Sequence, residues 1–306
     1  MAAGGGVRAI VAALLANAGI AVAKFIGWGI TGSSAMLAEA VHSVADTSNQ
    51  GLLLLGTRTA KRRPTEDHPF GYGRDRYFYS FVVALLLFSL GSIFALYEGF
   101  DKLRHPHELT SPMVAVIILV VAIVLETFSF RTAIQESNKV RGDAGWWQFI
   151  RQAKTPELPV VLLEDAGALF GLVLALCGVG LSTITGDPVW DAIGTMCIGV
   201  LLGVIAVILI IETKSLLIGE GAHPSVLKQI CAELEAGRVD RVIHIRTQYL
   251  GPDELLVAAK IAVSSQLTTE EVAQAINDAE QRVRSKIPEA RLIYLEPDLD
   301  RTAVPG

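Results

Sequence analysis

Cysteine is scarce in this sequence. Its three residues, Cys177, Cys197 and Cys231, form no CxxC pair, and two of them lie inside apolar runs. That pattern excludes a disulfide framework or a thiolate metal site and leaves buried packing as their expected role. Charge is scarce too. Only 19% of the 306 residues are charged, against 51% hydrophobic, and the mean hydropathy is +0.46. An ordinary soluble domain is less apolar than this, so composition points to a chain that crosses a membrane several times. The formal net charge of −5 argues against a nucleic-acid partner. No GxxxxGK[ST] loop is present, because Gly-rich pieces such as GEGAH lack the pattern, so ATP is not expected to drive any step. HExxH is also missing, and the chain is not expected to be an enzyme.

What is present is a series of long apolar runs. Six of them, at about 7–30, 34–57, 77–100, 112–134, 158–182 and 189–213, each approach the ~20 residues that span a bilayer. The expected fold is an α-helical polytopic membrane protein with six transmembrane helices in residues 1–213. A small cytoplasmic α+β domain is expected in 214–306. The start MAAGGGVRAIVAALLANAGIAVAKF lacks a signal-peptide layout and reads as the first span. With no targeting segment in view, a bacterial inner (plasma) membrane is the expected location. The connection after the second run carries Arg58, Lys61, Arg62, Arg63, Arg74 and Arg76. The one after the fourth carries Lys139, Arg141, Arg151 and Lys154. Excess positive charge marks cytoplasmic loops, which puts both termini in the cytoplasm.

Beyond Lys214 the character changes. HPSVLKQICAELEAG has Pro near a helix start and Gly after its end. RVIHIRTQYL and ELLVAAKIAV read as strands joined by a short turn. TTEEVAQAINDAEQRVRSKIP opens with Thr268 and Glu271 as a capping box, and ARLIYLEP reads as a last strand. The order αββαβ predicts a small α+β sandwich.

The second run, AEAVHSVADTSNQGLLLLG, is the odd one. At about 100° per residue, with Glu39 at 0°, His42 falls near 300°, Asp46 near 340° and Asn49 near 280°. The four form one polar stripe, with Leu52–Leu55 left for lipid. A charge at the centre of a membrane helix costs about 2.5–3.5 kcal/mol on insertion scales, so such a row has to be paired, solvated or bound to something. His42 and Asp46 are one turn apart and can reach one ion. Imidazole with carboxylate suits a divalent transition metal. The fifth run adds Glu164 and Asp165. If the second run enters from the outer face and the fifth from the inner, Asp46 lies about 18 Å deep and Asp165 about 19–20 Å deep, in a core ~30 Å thick. The two carboxylates share a level. Neighbours on a helix point about 100° apart, so one of the two acids is expected to face the ion; Asp165 is the preferred ligand, with Glu164 as a fourth ligand or proton carrier. Glu126 in the fourth run lies at about the same depth and reads as a proton relay or half of an internal ion pair. Asn17 and Lys24 are candidates to line the same cavity. Asp191 and Glu212, near span ends, are expected to be solvated or capping.

Six spans, HisxxxAsp in the second, an acid in the fifth and the αββαβ domain together resemble the cation diffusion facilitator family. The pieces EAVHSVADTSNQGLLLLG, HPFGYGRDRYFYS, VVLLEDAGALFGL and DPVWDAIGTMCIGVLLG carry the likeness, which is closest to the divergent zinc-transporter-nine branch. The resemblance implies a homodimer that exports zinc or related divalent cations in exchange for protons, with 1–213 as transport domain and 214–306 as dimerisation and regulatory domain. No permanent cofactor is implied. Zn2+ would be the cargo, with Mn2+, Fe2+, Co2+ and Cd2+ open to the same ligands. It places His42, Asp46 and Asp165 at three of four transport-site positions. The fourth is Val161, which cannot ligate, so Glu164, Glu39 or water would complete the shell. The family's cytoplasmic loop site keeps His68 but has Tyr72 for its second histidine. Lys260 and Tyr294 stand where metal-binding members carry histidine, so the small domain is expected to bind no zinc cluster. His223, His244, His105 and His107 read as surface or turn residues. The rival reading is a membrane scaffold or metal sensor whose C-terminal domain recruits a partner.

Overall fold

The computed structural model describes residues 18–106 and 109–299. Asn17 and His107 lie outside them. The described residues are mostly helical, with a small mixed sheet near the C-terminus. They divide into two compact units. One takes in the residues up to Arg58 together with Arg76–Lys214, and the other takes in Thr59–Asp75 and the residues from Ser215 on. The basic connection after the second run therefore groups with the C-terminal unit, although sequence order separates them.

The helical unit begins with α1 (Ala18–Thr31) and α2 (Ser34–Thr59). Between them Gly32 takes a left-handed φ of +66°, open to a residue without Cβ, and its N–H bonds the Trp28 carbonyl at 2.8 Å. The Ser33 hydroxyl then accepts from the Met36 N–H at 3.2 Å, an N-cap for α2. Then follow α3 (Asp75–Arg104), which widens to π-helical turns over Leu87–Ile93, and α4 (Pro112–Arg141). A short α5 (Trp146–Gln152) precedes α6 (Glu157–Thr185) and α7 (Val189–Ile218). Among the described residues four helices are long and apolar enough to cross a membrane: α3, α4, α6 and α7. α2 is long enough at 26 residues, but its polar row dilutes its apolar character.

The helices outrun the apolar stretches that announce them. Hydropathy marks what can sit in hydrocarbon, whereas helix propagates through any good helix former. So α4 continues through Gln135–Arg141, and α7 continues to Ile218, past the expected domain boundary. Nothing local announces α5, whose seven residues are too few to show a period. The thiols also depart from expectation. Cys177 and Cys197 are exposed and Cys231 is half-buried, because the first two fall on outward faces of α6 and α7. Of the leucines assigned to lipid, Leu53 is buried while Leu54 and Leu55 are exposed.

Two polar clusters, one fully buried and one partly so, fix which helix ends lie together. Asp191, in the first turn of α7, accepts from the Ser33 hydroxyl at 2.7 Å and from the Ser34 N–H at 2.9 Å. Lys102, near the end of α3, pairs with it at 2.9 Å and also donates to the Gly32 carbonyl at 3.0 Å. Asp191 is thus a cap, as expected, but a fully buried one rather than a solvated one. At the other end Arg76, opening α3, grips Glu157, opening α6, through two bonds of 2.5 and 3.0 Å. Hence α2 and α7 start at one end of the unit, α3 and α6 at the other. α3 and α7 pack closely: a Cβ on Gly199 would stand 2.9 Å from the Leu96 backbone nitrogen, and Ser92 donates to the Gly199 carbonyl at 2.8 Å. Glu212, the other residue near a span end, lies 3.3 Å from Arg151 of α5.

The C-terminal unit contains α8 (Pro224–Glu235), β1 (Val239–Gly251), β2 (Glu254–Val263), α9 (Thr269–Lys286) and β3 (Leu292–Asp298). β1 and β2 pair antiparallel across a Pro252–Asp253 turn, and β2 and β3 pair parallel. Ile230 and Leu234 of α8 and Ala279 and Val283 of α9 join Leu255, Val257, Ile261 and Ile293 in one apolar core. Alternate strand residues supply it, as period-two patterning requires. His223 caps α8, its Nδ1 facing the Ser225 N–H at 3.4 Å.

The Thr268–Glu271 capping box is complete. Hydrogen bonds from the Thr268 backbone and side chain hold the Glu271 carboxyl below its ordinary value of 4.5. A depressed carboxyl stabilises the folded state fully above its unfolded value, and that contribution is lost as pH falls through the folded one. Hydrogen exchange on the full chain should show α9 first-turn amides losing protection on acidification below that ordinary value. Thr268→Ala should remove about 1 kcal/mol of local stability and weaken this pH response, leaving the part that the Thr268 backbone N–H carries.

Candidate metal path

The polar face of α2 is buried. Glu39, His42 and Asn49 are all 0% exposed, and Asp46 is half-buried. Several of their atoms have no hydrogen-bond partner among the described residues: Glu39 Oε1, both ring nitrogens of His42, Asp46 Oδ1 and Asn49 Oδ1. His42 Nε2 lies 3.5 Å from Asp46 Oδ2. Buried polar atoms are nearly always satisfied, so an open run of them along one face marks a surface prepared for a cation, protons or water.

Asp46 and Asp165 line one small cavity together with Ser43, Gln50, Glu126, Ser129 and Ile20. Its volume, about 10 Å³, is room for about one water or ion. Asp165 comes from α6 and Glu126 from α4. Ser129, one turn beyond Glu126, donates to Asp165 Oδ2 at 2.8 Å and fixes its rotamer. Glu164 faces away from this cavity. It is buried and accepts from the Asn49 amide at 2.6 Å. The adjacent acids of α6 thus have separate tasks: Asp165 faces the cavity and Glu164 ties α6 to α2.

Glu39 is also committed. Its Oε2 lies 3.1 Å from Lys24 Nζ of α1, and both side chains are 0% exposed. Lys24 also donates to Ser43 at 2.7 Å. Val161 packs against the apolar clusters and adds no ligand. His68 is exposed, its ring 4.6 Å from that of Tyr72. In the C-terminal unit Lys260 stands 3.0 Å from Glu296 and 3.1 Å from Asp298, which raises the lysine's pKa. Those carboxylates already hold an ammonium and are unsuited to a metal. Among the described residues no three His, Cys, Asp or Glu groups are gathered closely enough to hold an ion. The acceptors share a path but do not converge in this conformation. Ser129 and Gln50 went unnoticed in the sequence. A hydroxyl one turn from Glu126 was the available signal for the first; nothing local marked the second.

The Asn49–Glu164 bond carries a prediction. Asn49→Leu strands a buried carboxyl, which costs about 1–3 kcal/mol. Thermal unfolding of the detergent-purified protein should shift down accordingly. Adding Glu164→Leu should recover most of the loss, since removing both partners of a buried bond is nearly neutral.

Comparison with known proteins places the chain. The profile of the cation efflux transmembrane domain matches residues 10–218. A Xenopus laevis protein named proton-coupled zinc antiporter SLC30A9, mitochondrial, is 34% identical over 249 residues, covering 80% of this chain and 44% of its own. Metal tolerance protein C4 of Arabidopsis thaliana is 29% identical over 266 residues, 86% of this chain and 58% of its own. Magnetosome protein MamB of Magnetospirillum gryphiswaldense is 24% identical over 272 residues, 87% and 84%. A solved structure of the MamM C-terminal domain in a nickel form is 21% identical, with a TM-score of 0.25, and covers 26% of this chain and all of its own. The chain spans under half the length of the zinc antiporters that it matches. With the efflux profile covering α1 to α7, the chain belongs to the cation efflux family, the cation diffusion facilitators that its second and fifth apolar runs resemble.

Proposed function

We propose that this chain crosses a membrane six times and carries divalent metal cations, zinc foremost, out of the cytoplasm in exchange for protons. The observation that carries this reading is the small cavity between Asp46 and Asp165 on two helices of opposite direction, beside the unpartnered ring nitrogens of His42. The names of the antiporter relatives point the same way. α1 and α2 supply the two spans beyond the four apolar ones. Both ends of the chain face the cytoplasm, in a bacterial inner membrane. The C-terminal unit pairs two copies.

Exchange follows from competition. A metal needs neutral His42 and ionised Asp46 and Asp165, and binding it displaces the protons these groups carry. Protons arriving from the far side reverse the displacement. Glu126, on the cavity wall, is placed to pass protons between Asp165 and solvent. Because the acceptors do not yet converge, the ion's arrival draws α2 and α6 together, which supplies the two states that alternating access requires. Two carboxylates with one imidazole accept zinc, cobalt, iron and cadmium, and harder ions such as manganese less tightly. With Val161 at the fourth position and Glu164 held by Asn49, water completes the shell.

Reconstituted into proteoliposomes under an imposed proton gradient, the purified protein should take up Zn2+. Asp46→Asn should lower the rate by about 100-fold, the size of effect expected when a metal site loses an essential group. Glu164→Gln, which keeps the bond to Asn49, should lower it only a few-fold. Near-wild-type rates in both variants would show that the path lies elsewhere, and no uptake by well-folded wild type would remove the transport reading. A panel of metals in the same assay should rank Zn2+, Cd2+ and Co2+ above Mn2+.

A further inference from the structure

The Lys24–Glu39 pair has no place in the exchange just described. A buried lysine on α1 puts its ammonium 3.1 Å from Glu39 and 2.7 Å from Ser43. Ser43 in turn lines the cavity that Asp46 and Asp165 share. Glu39 sits one turn from His42 on the same face, toward the Ser34 end of α2. Its second oxygen, Oε1, is buried and has no hydrogen-bond partner among the described residues. That oxygen presses against α6 at Gly171, where a Cβ would stand only 2.5 Å away. The glycine leaves the room the carboxylate occupies.

The unpartnered polar atoms therefore run from Glu39 to Asn49, about 15 Å along the helix, and among the described residues the one ammonium beside them is that of Lys24, at the Glu39 end. A divalent ion travelling this face meets Glu39 already neutralised. Carboxylate and ammonium attract strongly in low dielectric, and a second cation brought to the same carboxylate is repelled by the first.

We propose that Lys24 is a tethered stand-in for the transported cation. Its ammonium keeps Glu39 out of the ion's shell and closes that end of the path until it withdraws, making Lys24 a specificity-determining residue for divalent cations. The inference rests on the α2 face being the ion path. It differs from a purely structural ion pair in what it moves: a structural pair affects stability, whereas a competing ammonium affects metal affinity.

Equilibrium binding of Zn2+ to the full chain in detergent, by competition with a chromogenic chelator, tests it. Lys24→Gln frees Glu39 and should tighten Zn2+ binding about tenfold, the equivalent of about 1.4 kcal/mol. Lys24→Arg should stay near wild type, and Lys24→Gln with Glu39→Gln should return to it. Unchanged affinity in Lys24→Gln, or equal tightening in the double variant, overturns the proposal. Should Lys24→Gln fail to fold, Glu39→Gln decides. It leaves the ammonium unneutralised beside the path and should weaken binding about tenfold; wild-type affinity there overturns the proposal. Asp46→Asn run alongside keeps the two readings apart. If it still binds Zn2+ like wild type, the path is misplaced; if it loses binding while both Lys24→Gln and Glu39→Gln bind like wild type, only the role of Lys24 falls.

Discussion

Every charge carried into an apolar helix bundle has to find a partner there, and the architecture of this protein follows from how each one does. Lys102 and Asp191 find one another and the backbone of the α1–α2 turn. Lys24 finds Glu39. Glu164 finds Asn49. Breaking a buried pair is far more costly than forming it is rewarding, so these contacts act chiefly as constraints on which helices can be neighbours and in which rotation. The groups left over, His42 and Asp46, are where the bundle has kept acceptor capacity in reserve.

The constraints work in sequence. The Asp191 cluster holds the start of α2 against the start of α7, while the Arg76–Glu157 fork holds the starts of α3 and α6 together. α2 and α6 must then run in opposite senses, which brings Asp46 and Asp165 to one level although one lies 12 residues after its helix start and the other 8 after its own. A cavity sized for one ion or water between opposed carboxylates is the result. Val161, one turn earlier on α6, belongs to the apolar packing, while Glu164 and Asp165 carry the polar contacts of that stretch.

The C-terminal unit meets a different requirement. It has its own apolar core beneath a mixed sheet, and the loop Thr59–Asp75 groups with it. In that loop Gly73 lies against Leu250 and Gly251, where no Cβ would fit. Lys260 between Glu296 and Asp298 supplies the positive charge that those two carboxylates face.

Much of this was legible in the chain. The apolar runs, the capping box at Thr268, and the stripe formed by Glu39, His42, Asp46 and Asn49 are local. Each follows from hydropathy, backbone preference or the 100° step between helical residues, quantities defined within a few positions. Two things could not be read there. Lys24 pairs with Glu39 across two helices. Ser129 and Gln50 complete the cavity wall. Both depend on how far each helix is rotated about its axis when it packs, and that rotation is set jointly by side chains distant in sequence. The spacing of Glu39, His42, Asp46 and Asn49 along the chain dictates that α2 has a polar face; only packing against α1, α4 and α6 settles what that face meets.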